Sequence, residues 1–441
     1  MVEFPFFCNL LLSDERTAWV EARPTVFMGL YMEQQTDKHV LNNGMVLLGE
    51  PMPGVESVAF GFLLPAGAAL MPPGVCGAAN VISDWIFRGA GDRDSRQLGD
   101  ALDGLGLHRS VSVGSAHLSL GAVLEASNLA EALTLYTDVI LRPRFEDEQF
   151  ELARQLAVEG VLSLDDEPRQ KVMLELRRRF YPDPLGRSTV GEIDELKGLA
   201  SAVTRDIVQS RFDVGQTIFS VAGKYDFDAV CRLLEGAFAR CEAAPSQRPQ
   251  LRPRLGKYTH IPNEGAQVHI GLMTDTARFT EEAYYNARAA VSVLSGGMSA
   301  RLFTEVREKR GLCYAIGARY HSLKDAAGIL CYAGTTPDKA QETLDVIVSE
   351  FRRLAEGISE AELDRAKVGL KSSLVMQSES SGNRVGSMGG DYYMLGRVRR
   401  LDEIKQRIEA TTVDSVLAFL KENPFQDFTV VTIGPREVRV E

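Results

Sequence analysis

Glu242-Ala243-Ala244-Pro245-Ser246-Gln247-Arg248-Pro249-Gln250-Leu251-Arg252-Pro253-Arg254 is a polar run with three prolines. Proline lacks a backbone donor and clashes with the preceding helical turn, so neither a helix nor a central strand tolerates this run. Roughly 200 residues lie on each side, and the two flanks carry the same order of elements. In the first, residues 57–64 alternate like a strand, helices are expected at 75–88 and 95–105, strands at 109–113 and 117–124, a helix at 128–141 and a long helix from Phe145. In the second, a strand at 266–273 precedes helices at 281–294 and 300–309, strands at 315–321 and 328–333, a helix at 338–354 and a long helix from Ser359. Each flank closes with one more strand, at 216–222 and at 428–433. Phe145 and Ile358, Phe150 and Leu363, and Ala153 and Ala366 keep a constant offset of 213, the mark of a duplicated unit.

Strands outnumber the helices that could serve as right-handed crossovers, and hairpin-like pairs recur. The expected class is α+β: two homologous lobes, each a mixed or largely antiparallel sheet with helices on one face, forming a clam around a cavity. The expected organisation is a weakly ordered or misassigned extension at 1–35, with Met28 or Met32 as alternative starts, a first lobe at 36–241, a linker at 242–257 and a second lobe at 258–441.

At 441 residues the chain is too long for a single core, and 45% apolar with 25% charged residues is the composition of an ordinary globular protein. A net charge of −11 argues against nucleic acid or an anionic membrane as the main partner. No apolar run reaches the roughly 18–20 residues needed to span a bilayer. The apolar start from Met1 to Leu12 lacks a basic region and runs into Ser13-Asp14-Glu15-Arg16, which makes a poor secretory signal. Six cysteines without paired spacing read as reduced thiols of a cytoplasmic protein. Gly296-Gly297 lacks the lysine and serine of a phosphate loop, and Arg177-Arg178-Arg179 reads as a solvated helix face.

The stretch Cys76-Gly77-Ala78-Ala79-Asn80-Val81-Ile82-Ser83-Asp84-Trp85-Ile86-Phe87-Arg88-Gly89 resembles the zinc helix of the M16 (pitrilysin/insulinase-type, processing-peptidase-like) metallopeptidases. That family carries His-x-x-Glu-His there. Residues four apart share a helix face, so two imidazoles can hold one metal while a carboxylate activates its water. Here Asn80 and Asp84 stand in the ligand positions and Ser83 in the position of the general base. The family's third ligand, a glutamate, falls on Gly160, with Glu159 beside it but turned about 100° round the helix. An Asn amide is a poor zinc ligand, and a metal site needs three protein donors. The expectation is therefore no metal and no cofactor in this chain. The six histidines are scattered and read as surface or satisfied strand residues.

A second signature is intact. Ser295-Gly296-Gly297-Met298-Ser299-Ala300-Arg301-Leu302-Phe303-Thr304-Glu305-Val306-Arg307-Glu308-Lys309-Arg310-Gly311-Leu312-Cys313-Tyr314 resembles the family's carboxy-terminal segment, where an Arg and a Tyr seven residues later reach toward substrate. These positions are Arg307 and Tyr314. An Arg fork donates charge-assisted hydrogen bonds to peptide carbonyls, and a Tyr hydroxyl stabilises a developing oxyanion. The competing reading makes Arg307 a solvated charge and Tyr314 the cap of a strand. Pro184-Leu185-Gly186-Arg187 with Gly191 matches a turn of the same family, so the resemblance covers about residues 38–437.

The resemblance implies a chain inactive by itself that serves as the substrate-binding subunit of a heterodimeric zinc protease. Its partner would be an M16 homologue with an intact His-x-x-Glu-His, which would hold the zinc, and its substrate a peptide. The glycine-rich loop of the mitochondrial processing subunit is absent. Two other functions stay open: a scaffold subunit of a larger assembly, and a stand-alone peptide-binding module.

Overall fold

The computed structural model describes residues 34–243 and 249–440. The extension expected at 1–35 lies outside the described residues except for its last two. Thirteen strands occur among the described residues: β1 (Asp37–Val40), β2 (Val46–Pro51), β3 (Ser57–Leu64), β4 (Gly89–Ala90), β5 (Arg93–Asp94), β6 (His108–Val113), β7 (Leu118–Glu125), β8 (Ile218–Gly223), β9 (Tyr258–Pro262), β10 (Val268–Asp275), β11 (Cys313–Ser322), β12 (Ala327–Thr335) and β13 (Phe428–Gly434). The helices are α1 (Ala78–Trp85), α2 (Ser95–Gly104), α3 (Leu129–Leu141), α4 (Asp147–Leu162), α5 (Pro168–Phe180), α6 (Ile193–Gly198), α7 (Ser201–Arg211), α8 (Phe227–Phe238), α9 (Tyr284–Ser295), α10 (Ala340–Arg353), α11 (Glu360–Ser378), α12 (Ser381–Leu395), α13 (Leu401–Ala410) and α14 (Val413–Glu422).

The strands form two large sheets with one topology. The first runs β1-β2-β8-β3-β7-β6 and the second β11-β12-β10-β13-β9, so that β2-β8-β3-β7-β6 answers to β9-β13-β10-β12-β11. In both, every neighbouring pair of that shared set is antiparallel except one, β2 with β8 and β9 with β13. The mixed-sheet α+β duplication anticipated from the offset of 213 is therefore present strand by strand. Residues 242–257 supply no strand to either sheet among the described residues.

Each sheet buries one face beneath helices of its own half. In the first, Val58, Phe60, Phe62 and Leu64 of β3 meet Tyr136, Leu234 and Phe238 in one core. The phenyl rings of Phe62 and Phe219 lie 4.8 Å apart at their centroids. The second core joins Val268, Ile270 and Leu272 of β10 to Leu294, Leu344, Ile347 and Phe419. Strands β8, β12 and β13 are buried along their whole length, which requires a cover on the other face too.

That second cover was not anticipated, because the sequence suggested helices on one face alone. Helix α5 of the first half lies on β10 and β13, and α12 of the second half lies on β3 and β8. The two helices are themselves equivalent, offset by the same 213 residues. Val172, Leu176 and Phe180 pack with Met273, Leu330, Val431 and Ile433 on one side. Val385 and Met388 pack with Val46, Leu48, Ile218 and Ala222 on the other. Each helix presses on a glycine of the central strand. A Cβ on Gly61 would stand 3.0 Å from Val385, and one on Gly271 3.3 Å from the equivalent Val172.

One ion pair fixes α12 to the foreign sheet. Arg384 is only 5% exposed at its side chain and Glu50 of β2 only 8%. The guanidinium meets the carboxylate through both Nε, at 2.9 Å, and Nη2. Removing one partner of a buried pair costs roughly 3–5 kcal/mol, whereas replacing both by apolar groups is often neutral. Arg384→Met is expected to lower stability by about that much in urea titration, and Glu50→Leu in the same chain to restore most of it. A single-variant loss below about 1 kcal/mol would mean the pair does not hold the halves together.

Candidate functional site

Helix α1 carries the three degenerate positions and is anchored by its own tryptophan. Trp85 is buried between Phe145 and Phe150, at centroid distances of 4.4 and 4.8 Å, and its indole N–H donates to the Glu146 carbonyl at 3.0 Å. This sets α1 against α4, the helix that bears Gly160. The frame that would assemble a metal site is thus intact, and its occupants are not ligands. Asn80 Nδ2 donates to the Val190 carbonyl at 3.3 Å, and Ser83 Oγ donates to the Asn80 carbonyl at 2.7 Å. The Asp84 carboxylate accepts from Arg88 one turn later, and Arg88 also reaches Gln149 of α4 at 3.4 Å. At Gly160 a Cβ would meet nothing within 4 Å, while Glu159 accepts from Gln155 at 2.9 Å.

This set does not fit zinc. An amide and a serine hydroxyl are poor zinc donors, Gly160 has no side chain to offer, and the Asp84 carboxylate is already bridged by the Arg88 guanidinium, so three donors are not assembled. The turn at 184–191 closes over the same helix. Arg187 bonds Asp183 at 2.9 Å and the Met71 carbonyl at 2.7 Å, and Gly191, at φ +96°, runs so near Gly77 that a Cβ would stand 2.6 Å from its Cα.

Arg307 and Tyr314 are brought together in the second half by two departures from regular backbone. Residues Phe303–Glu308 form a π-helical turn, in which the Lys309 amide reaches back five residues to the Thr304 carbonyl. Wide turns of this kind cluster at functional positions. At Cys313 and Ala315 the pairing of β11 with β12 slips by one, so Tyr314 is the extra residue of a bulge. Bulges re-aim a side chain, and Tyr314 stands 80% exposed. The Arg307 guanidinium lies 5.2 Å from the centre of the Tyr314 ring and 4.8 Å from that of Phe303. Its side chain and the Tyr314 hydroxyl have no hydrogen bond or ion pair among the described residues.

Two supports of this site were not read from the sequence. Phe303 precedes Arg307 by four residues, the spacing of neighbours on a helix, and that periodicity was the available signal. Arg301 grips the start of α11: Nε and Nη2 bond Glu362 at 2.7 and 3.1 Å, and Nη2 also bonds the Gly357 carbonyl at 2.7 Å. Glu362 in turn closes a capping box with Ser359, which the Ser-x-x-Glu spacing announces. A separate cavity of about 1340 Å³ opens between the halves, lined by Ser112, Gly114 and His117 of the first and Tyr284, Arg288 and Lys324 of the second. None of the six residues singled out from the sequence lines it. Burial pushes the His117 imidazole down to about 4, with Lys324 adding to the effect.

Comparison with known proteins agrees with this fold. Residues 47–192 match the family described as insulinase (peptidase family M16), and residues 205–370 match the peptidase M16 inactive domain. The chain belongs to the M16 peptidase family. It is 24% identical over 92% of its length to a protein of Rickettsia felis and 25% identical over 90% to one of Mycobacterium tuberculosis, both named as uncharacterized zinc proteases and matched over 100% and 92% of their own lengths. Its fold matches a peptidase M16 inactive domain from Pseudomonas fluorescens with a TM-score of 0.84 at 18% identity, over 92% of this chain and 100% of that one. It also matches a protease from Helicobacter pylori with a TM-score of 0.82 at 17% identity, over 91% and 100% of the two chains. Among the described residues no helix is long and apolar enough to cross a membrane.

Two outcomes are expected from these contacts. Hydrogen bonds from Arg301 are the largest of the effects that draw the Glu362 carboxyl from its ordinary 4.5 down to about 2, so its contribution is complete above pH 4.5 and lost as the pH falls through 2. Glu362→Gln should therefore cost about 1.5–3 kcal/mol at neutral pH and much less near pH 2, as read from denaturant midpoints. The triple change Asn80→His, Ser83→Glu and Asp84→His should bind little zinc until Gly160→Glu is added, because three protein donors are required. Stoichiometric zinc in the triple variant, measured by atomic absorption, would refute the role given to position 160.

Proposed function

We propose that this chain is the substrate-holding, non-catalytic subunit of a cytoplasmic heterodimeric zinc protease, and that an M16 partner with an intact His-x-x-Glu-His supplies the metal and the general base. The observation that carries this reading is a contrast inside one chain. The zinc positions have been taken over by internal bonds, while Arg307 and Tyr314 are held out by a π-turn and a bulge with their donors unused. A scaffold gains nothing from keeping a cation and a phenol raised in this way.

In this reading the chain performs two tasks. The Arg307 fork donates to carbonyls of an extended peptide and fixes its register, the aromatic faces of Phe303 and Tyr314 keeping the guanidinium in place. The Tyr314 hydroxyl donates to the scissile carbonyl oxygen as negative charge develops on it. Zinc, bound by the partner, would activate the attacking water there.

The test is peptide hydrolysis by this chain alone, by the zinc-bearing homologue alone, and by an equimolar mixture. Activity is expected only in the mixture. Tyr314→Phe should lower turnover about 10²-fold with assembly unchanged, the scale on which single oxyanion donors act. Arg307→Ala should raise KM more than it lowers kcat. Full activity of the homologue alone, unaffected by mixing, would overturn the assignment in favour of a scaffold or a stand-alone peptide binder.

A further inference from the structure

The duplication allows each residue beside one exchanged helix to be compared with its counterpart beside the other. Helix α5 lies on β10 and β13 of the second sheet, and just past its end the Tyr181 hydroxyl reaches His321 of β11, the outermost strand of that sheet, at 2.6 Å. Arg177 precedes Tyr181 by one helical turn and Arg319 precedes His321 by two strand positions, so the two guanidiniums flank this contact, and the charge of Arg319 adds to the lowering at Arg177. The sequence suggested that Arg177 is merely solvated; instead it is half-buried, and burial is the main force lowering its affinity for a proton. Burial and the two arginines also push His321 down to about 4, so it is neutral at neutral pH and shares a hydrogen bond of 2.6 Å with the Tyr181 hydroxyl.

No carboxylate compensates these two cations. The Arg177 side chain donates only to the Met173 carbonyl of its own helix, at 3.3 Å, and Arg319 has no ion pair among the described residues. The nearby acids are already engaged: Glu175 by Arg178 and Arg179, each at 2.7 Å, and Asp275 by both terminal nitrogens of Arg254, at 2.7 and 2.8 Å. Two guanidiniums gathered at a partly desolvated junction repel one another, and in a chain of net charge −11 their lack of an acidic neighbour is unusual.

The fold does not require them. Gly61 pairs with Gly121, and Gly121 with Ser110; the equivalent Gly271 pairs with Tyr332, and Tyr332 with Gly317. Two residues further along, Arg319 therefore answers to Ser112, and by the offset of 213 Arg177 answers to Gly390. At these two positions beside the first sheet there is no charge: Ser112 and Gly390 line the cavity between the halves. The paired arginines, one from each half, therefore occur beside the second sheet and not at the equivalent positions beside the first.

We propose that the groove between α5 and β11 is a recognition site for the carboxylate side chains of an acidic peptide segment, gripped by Arg177 and Arg319. The proposal rests on the reading of this chain as a peptide-holding subunit and adds a substrate preference to it. Guanidinium forks match carboxylates in shape and donate in pairs, and Arg319 is exposed on the edge of the sheet where an extended chain can reach it.

The experiment is fluorescence anisotropy of a short labelled peptide rich in glutamate against its glutamine isostere, with the intact chain alone at low salt. The glutamate peptide is expected to bind about tenfold more tightly and to lose that advantage as salt is raised. Arg319→Gln, on an exposed strand position, should remove most of the preference, and Arg177→Gln the remainder. Arg319→Lys should retain part of it. Equal affinity for the two peptides, or a preference unchanged in Arg319→Gln, overturns the proposal, as does competition by inorganic phosphate at concentrations that leave free glutamate ineffective. The assay needs no zinc-bearing partner, so its result is separate from that of the mixing experiment: an acidic preference can hold while Tyr314→Phe leaves turnover unchanged, and the reverse.

Discussion

Everything in this molecule depends on two helices lying on sheets they do not belong to. A mixed sheet whose central strands are buried on both sides cannot be left half covered, and each half of the chain lacks a second helical layer of its own. α5 and α12 supply it reciprocally. The contact is close because Gly61 and Gly271 remove the side chains that would hold the helices off, and Val385 and Val172 fill the two depressions. The buried pair of Glu50 with Arg384 adds register to what is otherwise an apolar contact. The halves of the chain are therefore not independent bodies joined by residues 242–257. Each is completed by the other.

Against that rigid frame, the proposed site sits where the backbone is irregular. The two site residues occupy the same half but different elements, and neither a regular helix at 303–308 nor a regular strand at 313–315 would stack a guanidinium on Tyr314. A π-turn widens the helix and a bulge throws the tyrosine outward. Arg301, bonded to Glu362, holds the beginning of that turn against α11. Helix α1 shows the opposite outcome. Its place is fixed by Trp85, while Asn80 bonds Val190, Ser83 bonds the Asn80 carbonyl and Asp84 bonds Arg88, so its polar side chains are engaged inside the protein.

The fold was largely legible because its signals are local or periodic. Strand β3 was read at its observed limits, and β13 and α3 within one residue, from alternation and helical spacing. The constant offset of 213 disclosed the duplication. The exchange of α5 and α12 was not legible, since an amphipathic helix states that it has an apolar face and not which sheet covers it. Arg307 and Tyr314 were legible as a motif, but their stacking was not, because neither a π-turn nor a bulge has a compositional mark in this stretch. Arg177 was misjudged for the same reason as α5: its burial comes with the docking of that helix on β10 and β13, strands of the other half of the chain.

The reciprocal helices also carry a statement about ancestry. A single ancestral unit with this strand order would have had an uncovered outer face, and the way for identical units to hide such faces is to trade an element. Two separate copies doing so form a domain-swapped dimer. Joined head to tail by a proline-rich connector, they give the present chain, in which a swap between molecules has become internal. Once fused, the copies were free to diverge, since each still sheltered the other.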